Sequence, residues 1–395
     1  MTPTIGVPEI LARCRRVISP AMTVAVERLA PEIRRLAAYH LGWTDADGNP
    51  IESPGGKGIR PTLAMLAAEA AWADAEVGVP GGVAVELVHN FSLIHDDIID
   101  TDTERHHRPT VWSVYGIGPA IVAGDALEIL AHQVLLESPS GRGPAASAAL
   151  AEATAAMIAG QADDIAFESR RDVTVKQCTA MSAAKTGALL GCAASIGAIL
   201  AGAPDATVGA LRDYGRHLGL AFQAVDDLLG IWGDPARTGK PAGSDLRQRK
   251  KSMPVVSALA AGGPEADELR ALILGPAGGA GPGGDAGPAG GPGPAGGPGP
   301  AGGPGPAGGP GPGGDAGPAG GPGPAGPGAP LESLDAGQIA RATYLVEACG
   351  GREWTAVRAK ANLDAALGAL ERVRLSAIPH RDLADIAVYV VERES

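Results

Sequence analysis

The run Leu93-Ile94-His95-Asp96-Asp97-Ile98-Ile99-Asp100 sets three aspartates at the end of an apolar segment, and no other feature restricts the fold as tightly. In a helix, residues four apart share a face, so Asp96 and Asp100 project together with Asp97 beside them. The apolar flanks draw that helix into a core. A second acidic pair, Asp226-Asp227, follows Phe222-Gln223 about 130 residues later. Two carboxylate clusters in one interior repel each other unless cations lie between them. Hard oxygen donors of this kind suit Mg²⁺, which takes one or two carboxylates together with phosphate oxygens. The chemistry indicated is metal-bridged diphosphate binding in a helical cavity.

The rest of the chain reads as helix. Residues 8–40 carry Ile10, Leu11, Val17, Val24, Val26, Leu29 and Ile33 at helical spacing. Helical patterns follow over Arg60 to Trp72 and, after Gly81-Gly82, over Val83 to Asp100. They return over 117–137, 144–168, 175–202, 206–232 and 252–261. Thr101 to Pro109 reads as a polar loop. Nothing in 1–260 alternates at period two over a useful length, which predicts an all-α fold.

From Gly275 to Gly328 glycine stands at every third position, in eighteen consecutive Gly-X-Y triplets, and residues 281–295 recur as 311–325. The composition is collagen-like. A triple-helical rod of that length would hold its ends on the order of 150 Å apart at about 3 Å per residue. Helical pattern resumes at Leu331, however, so both ends must rejoin one core. A flexible loop spans roughly 40 Å and closes at a cost on the order of a few kcal/mol. With almost no apolar bulk it cannot offset its ordering entropy. The expectation is one domain formed by 1–274 and 331–395, interrupted by a disordered Gly/Pro/Ala loop over 275–328. Docking of that loop to a partner or a protein shell is the functional alternative.

Composition narrows the function classes. A net charge of −12 argues against a nucleic-acid partner. Cys14, Cys178, Cys192 and Cys349 lack the spacing of a disulfide framework or a zinc site. The first residues carry Arg13, Arg15 and Arg16 without an apolar run, unlike a signal peptide, so a reducing cytoplasm is the expected location. The uncharged run Thr186 to Pro204 is read as a buried helix, and no membrane span is expected. Only seven lysines stand against twenty-five arginines, yet Lys57, Lys185, Lys240 and Lys250 all fall at motif positions.

Those motifs occur in one order: Gly55-Gly56-Lys57-Gly58-Ile59-Arg60-Pro61, His89, the first acidic run, Arg105, Gly124-Asp125-Ala126-Leu127, Gly160-Gln161, Lys185-Thr186, Phe222-Gln223 with the second acidic pair, then Gly239-Lys240 through Gly243, Asp245 and Lys250. In this arrangement the chain resembles the trans-prenyltransferase (polyprenyl diphosphate synthase) family over roughly residues 50–260. Its ending, Leu383 to Arg393, resembles the family's last helix. One DDxxD is a weak signal; the whole series in register is a strong one.

The resemblance implies an isoprenoid synthase helical bundle around a central cavity, a homodimer, and one reaction. About three Mg²⁺ ions draw diphosphate from an allylic substrate (dimethylallyl, geranyl or farnesyl diphosphate), and isopentenyl diphosphate attacks the resulting cation. The protein supplies positioning and electrostatic stabilisation rather than a nucleophile. By resemblance Asp96 and Asp100 hold two metals and Asp226 the third, with Asp97 and Asp227 supporting them. Arg105, Lys185, Lys240 and Gln223 contact the allylic diphosphate, and Lys57, Arg60 and His89 hold isopentenyl diphosphate. Thr186 and Lys250 complete the substrate-binding set. In this family the residues just before the first motif floor the product tunnel. Phe91, five before Asp96, therefore favours products of C15 to C20, with geranylgeranyl diphosphate slightly ahead.

Two positions depart from the family pattern. His106 and His107 replace the second Arg and the Gly after the first motif, and Arg108 is a candidate substitute. The second motif ends in Gly230 instead of Asp, with Asp234 a candidate to compensate. His is a weaker, pH-dependent diphosphate partner, so the first departure bears on isopentenyl diphosphate binding; the first Asp of the second motif matters most in the family, so activity is expected to survive. A terpene cyclase that ionises an allylic diphosphate is one rival, although Asp226-Asp227 stands where an NSE-type triad would be. A non-catalytic partner subunit or scaffold is the other, and two retained acidic clusters argue against it. His95 is expected to be a core histidine satisfied by a backbone carbonyl.

Overall fold

The computed structural model describes residues 6–51, 56–234, 242–275 and 333–392. Gly55, Lys240, Arg393 and residues 276–328 of the Gly-X-Y tract lie outside them. The described residues belong to one unit, and nearly all of it is helical. The segment expected as one helix over 8–40 is two, α1 (Val7–Val26) and α2 (Pro31–His40). Pro31 opens α2, a position where its missing N–H is no loss. α3 (Ile59–Ala70) leads through a 3₁₀ turn (Ala75–Gly78) into α4 (Val79–Ile99). α4 starts four residues earlier than the glycine pair suggested, because Pro80 sits in its first turn and is tolerated there.

After α4 the chain makes α5 (Val111–Tyr115), α6 (Ile117–Leu136), α7 (Gly143–Ser169), α8 (Val175–Ser182), a π turn (Ala183–Gly187), α9 (Ala188–Leu200) and α10 (Asp205–Trp232). Short α11 (Ser244–Arg247) precedes α12 (Met253–Ala260) and α13 (Pro264–Leu274). α14 (Ala336–Ala348), α15 (Gly351–Leu370) and α16 (Ala377–Glu392) complete the bundle. Leu331, where helical pattern was expected to resume, lies outside the described residues; α14 begins at Ala336, where the Asp335 side chain accepts from the Gln338 N–H in a capping box.

α4 packs on α6 at one side and on α3 and α9 at the other, while α10 runs between α9 and α15. One apolar core joins α1, α3, α4, α6, α9 and α10, with Leu63, Leu87, Leu127, Ile196 and Tyr214 fully buried in it. Ala75–Ile99, Ile117–Leu136 and Val175–Leu200 are long and apolar enough to cross a membrane by length and composition. Two of them lie mostly inside the bundle, but α6 turns Ile117, Ile121, Val122, Ile129 and Leu136 outward.

The polar segment after α4 is not simply a loop. Glu104–Arg105 pairs antiparallel with Arg108–Pro109. His106 (φ 51°) and His107 (φ 60°) form the turn between them, and this hairpin geometry needs two left-handed residues.

Candidate active site

Asp96 and Asp97 lie in the last turn of α4, and Asp100 is the residue that closes it. A helix C-terminus carries the negative end of the backbone dipole, so carboxylates gathered there need nearby cations. Asp97 faces inward at 1 % exposure. Arg105 Nε donates to its Oδ1 at 2.7 Å, and Oδ2 has no hydrogen-bond partner. Burial pushes Asp97 up to about 6, against the pull of the Arg105 guanidinium. Burial also raises Asp96 and Asp100, with Lys185 pulling both the other way.

Lys185 stands in the π turn, a local widening that re-aims side chains and recurs at functional sites. The turn presses on α7 at Gly160, where a Cβ would lie 2.9 Å from Lys185 Cα. Lys185 Nζ donates to Asp164 Oδ2 on α7 at 2.6 Å. The next residue begins a chain of hydrogen bonds. Thr186 Oγ1 donates to Gln223 Oε1 (2.7 Å), Gln223 Nε2 to Asp227 Oδ1 (2.8 Å), and the Met253 N–H to Asp227 Oδ2 (2.9 Å). Asp227 is thereby locked inside α10, and burial pushes it up to about 6. Its neighbour Asp226 is exposed.

Lys250 joins the two acidic groups. Burial alone would lower its pKa, but Asp245, Asp227, Asp164 and Asp226 outweigh that and hold it well above the ordinary value. The same ammonium acts on Asp100. Its neighbours anchor it on either side. Arg249, at φ 55°, donates to the Leu272 and Ile273 carbonyls at the end of α13, and Lys251 Nζ donates to the Glu168 carbonyl at 2.6 Å. Both flanking cations meet the last carbonyls of a helix, where positive charge is favoured.

A second basic group gathers between α2, α3 and α4. Gly58, at φ 67°, turns the chain into α3, leaving Lys57 exposed and Arg60 partly buried. Arg60 Nε has no hydrogen-bond partner. Burial lowers Arg60, and Glu86 opposes this. His89 is held well below its usual value by burial, then by Arg60, His40 and Arg105. A small cavity bounded by Ile59, Arg60, Leu190, Leu218, Phe222 and Val390 adjoins the group. Arg108 does not join it: its guanidinium donates to the Tyr39 and Thr44 carbonyls and stacks on the Tyr39 ring.

Phe91 is buried and meets His95 edge to face, with ring centroids 4.9 Å apart. His95 Nε2 lies 3.2 Å from the Ile121 carbonyl oxygen. His132 bonds Ser147 and Glu128 on the far part of α6 and α7. Among the described residues no three His, Cys, Asp or Glu side chains converge closely enough to hold a metal by themselves. The arrangement instead opposes two acidic walls across Lys185 and Lys250, with three buried orphaned atoms (Asp97 Oδ2, Gln161 Oε1, Arg60 Nε) among the motif residues. That suits a cation completed by phosphate oxygens.

Three site residues escaped the sequence reading: His40, Glu86 and Asp164. Asp164 had a usable signal, lying one helical turn beyond Gln161. His40 had none, because only the tertiary fold brings the end of α2 near His89.

Several known proteins resemble this chain. A family profile described as polyprenyl synthetase matches residues 45–277. A (2E,6E)-farnesyl diphosphate synthase of Mycobacterium tuberculosis is 40% identical over 386 residues, covering 98% of this chain and 93% of its own. A geranylgeranyl diphosphate synthase of the same species is 44% identical over 272 residues, 68% of this chain and 77% of its own. Among solved structures, a polyprenyl synthetase from Streptomyces coelicolor superposes with a TM-score of 0.80 at 43% identity, covering 98% and 99% of the two chains.

Proposed function

The chain belongs to the polyprenyl synthetase family, as a prenyltransferase that makes short-chain prenyl diphosphates, and from this premise we propose how its residues divide the reaction. The allylic diphosphate lies between the acidic walls, and isopentenyl diphosphate lies over Lys57, Arg60 and His89. The observation that carries this reading is the pairing around the two acidic groups: Lys185 Nζ on Asp164 Oδ2 at 2.6 Å and Asp227 held by Gln223 and the Met253 N–H, with Lys250 raised by Asp245, Asp227, Asp164 and Asp226 together.

Asp96, Asp100 and Asp226 would hold the Mg²⁺ ions. Bound Mg²⁺ supplies charge neutralisation to the leaving diphosphate. Lys185 exchanges its Asp164 partner for diphosphate oxygens, and Lys250 and Lys240 add positive charge to the same anion. Arg105 stays on Asp97 through Nε and offers its remaining N–H groups to the diphosphate. The Thr186–Gln223–Asp227 chain fixes the amide of Gln223, which would face the allylic diphosphate. Arg60 offers its orphaned Nε–H and His89 a neutral imidazole to isopentenyl diphosphate. Phe91, backed by His95, ends the tunnel and holds products at C15 to C20.

The exposed apolar stripe of α6, continued by Ile158 and Ile165 on α7, supports a homodimer. Four free thiols support a reducing, cytoplasmic setting. Steady-state kinetics test the division of roles. Lys57→Ala and His89→Ala should raise KM for isopentenyl diphosphate and spare that for the allylic substrate, and Lys185→Ala should do the reverse. Equal effects on both substrates would sink the two-site assignment.

A further inference from the structure

Arg105 and Arg108 stand directly opposite each other in the hairpin that follows α4. Like charges paired in this way repel. The turn between them is unfavourable as well, because His106 (φ 51°) and His107 (φ 60°) hold left-handed backbone without being glycine. Conformations of that kind persist only where the surroundings impose them, and they gather at functional sites. Here the end of α2 and the residues just after it impose them. Arg108 Nη1 donates to the Tyr39 carbonyl (3.1 Å) and Nη2 to the Thr44 carbonyl (2.8 Å), and the guanidinium lies 4.6 Å from the centre of the Tyr39 ring. The Tyr39 hydroxyl returns the contact, donating to the Pro109 carbonyl at 2.7 Å. Tyr39 is buried and meets Tyr115 edge to face, and the Tyr115 hydroxyl donates to the Ala46 carbonyl at 2.9 Å. One strand of the hairpin is thus fixed on α2, while the other reaches α4 through Arg105 Nε on Asp97.

We propose that Arg108 and Tyr39 are positioning residues of the active site: their clasp on α2 fixes the hairpin and thereby aims Arg105 at the allylic diphosphate. The inference rests on the reading of Arg105 as a diphosphate contact. Arg108 acts through Arg105, not on the substrate, because its own fork is occupied by two carbonyls and a ring. Lysine cannot replace it, since a single ammonium lacks the planar fork that reaches both carbonyls and stacks on the ring.

The test is a double-mutant cycle on the full chain, read as kcat/KM for geranyl diphosphate at saturating isopentenyl diphosphate, with a melting temperature recorded for every variant. Arg108→Ala should lower kcat/KM about 10- to 100-fold, the scale of a small misplacement in an active site. Arg108→Lys, which keeps the charge and carries the cycle if Arg108→Ala fails to fold, should lose about tenfold or more. In an Arg105→Ala background either substitution should cost less than about twofold further, because the residue through which the clasp acts is already gone. Wild-type kcat/KM in Arg108→Lys, with Arg105→Ala impaired, overturns the clasp and leaves Arg105 standing. Full additivity in the cycle also overturns it, since Arg108 would then support the fold without acting through Arg105. Wild-type kcat/KM in Arg105→Ala overturns the reading of Arg105 itself.

Discussion

His40 offers a quantitative test of how the basic group is built. It closes α2, where the helix dipole favours an imidazolium. Burial overrides that preference, and Arg105 adds to it, pushing the side chain down to about 3 although a hydrogen bond with Asn90 opposes the shift. An unfolded histidine titrates near 6.5. The folded value lies below the unfolded one, so this stability is present above about pH 6.5 and is lost as pH falls toward 3. Between pH 7.5 and pH 5 the loss is close to RT ln(1 + 10^1.5), about 2 kcal/mol. For a unit of this size that moves the melting midpoint by about 3 °C. Scanning calorimetry of the wild type and His40→Asn in metal-free buffer at both pH values isolates the effect, because other titrating groups cancel. The wild type should lose about 3 °C more than the variant. Equal losses would refute the burial of a neutral imidazole at this position.

Other outcomes follow from single contacts. Phe91→Ala should open the tunnel floor and shift chromatographed products beyond C20; an unchanged length distribution would remove Phe91 from that role. Gly160→Ala puts a methyl 2.9 Å from Lys185 Cα and 3.0 Å from the Ala184 carbonyl carbon. It should cost about 1–3 kcal/mol in stability and up to roughly 100-fold in kcat as the π turn shifts. A variant with normal kcat would show that Lys185 tolerates displacement. Deleting 275–328 should leave turnover nearly unchanged. The flanking ends both dock on residues 247–249, through Arg249 on the Leu272 and Ile273 carbonyls and the Leu334 N–H on the Arg247 carbonyl at 3.3 Å. A large loss of activity would mean that the tract is engaged.

What the sequence revealed and what it hid follow from locality. The acidic run on α4, the glycine turn before α3 and the Phe222-Gln223 approach to Asp226 are properties of a few consecutive residues, and spacing alone exposes them. The all-α reading held because periodicity of 3.6 persists over each long helix. Long-range contacts were not legible. Asp164 meets Lys185 across two helices, Asp245 lies against Gly230 fifteen positions away, and His40 acts on His89 only once the end of α2 is folded beside it. Arg108 looked like a spare diphosphate ligand because nothing local shows that Tyr39 and Thr44 present carbonyls to it. The hairpin after α4 was hidden for another reason: His106-His107 carries none of the Asn or Gly residues that announce two left-handed positions.

The most direct measurement incubates the purified chain with Mg²⁺, radiolabelled isopentenyl diphosphate and, separately, dimethylallyl, geranyl and farnesyl diphosphates, sizing the products after phosphatase treatment. Label should enter C15 or C20 alcohols and vanish in Asp96→Ala, since that carboxylate stands in the wall that opposes the Asp226 side. No incorporation with any primer, or incorporation that survives Asp96→Ala, would contradict a site built from two acidic walls.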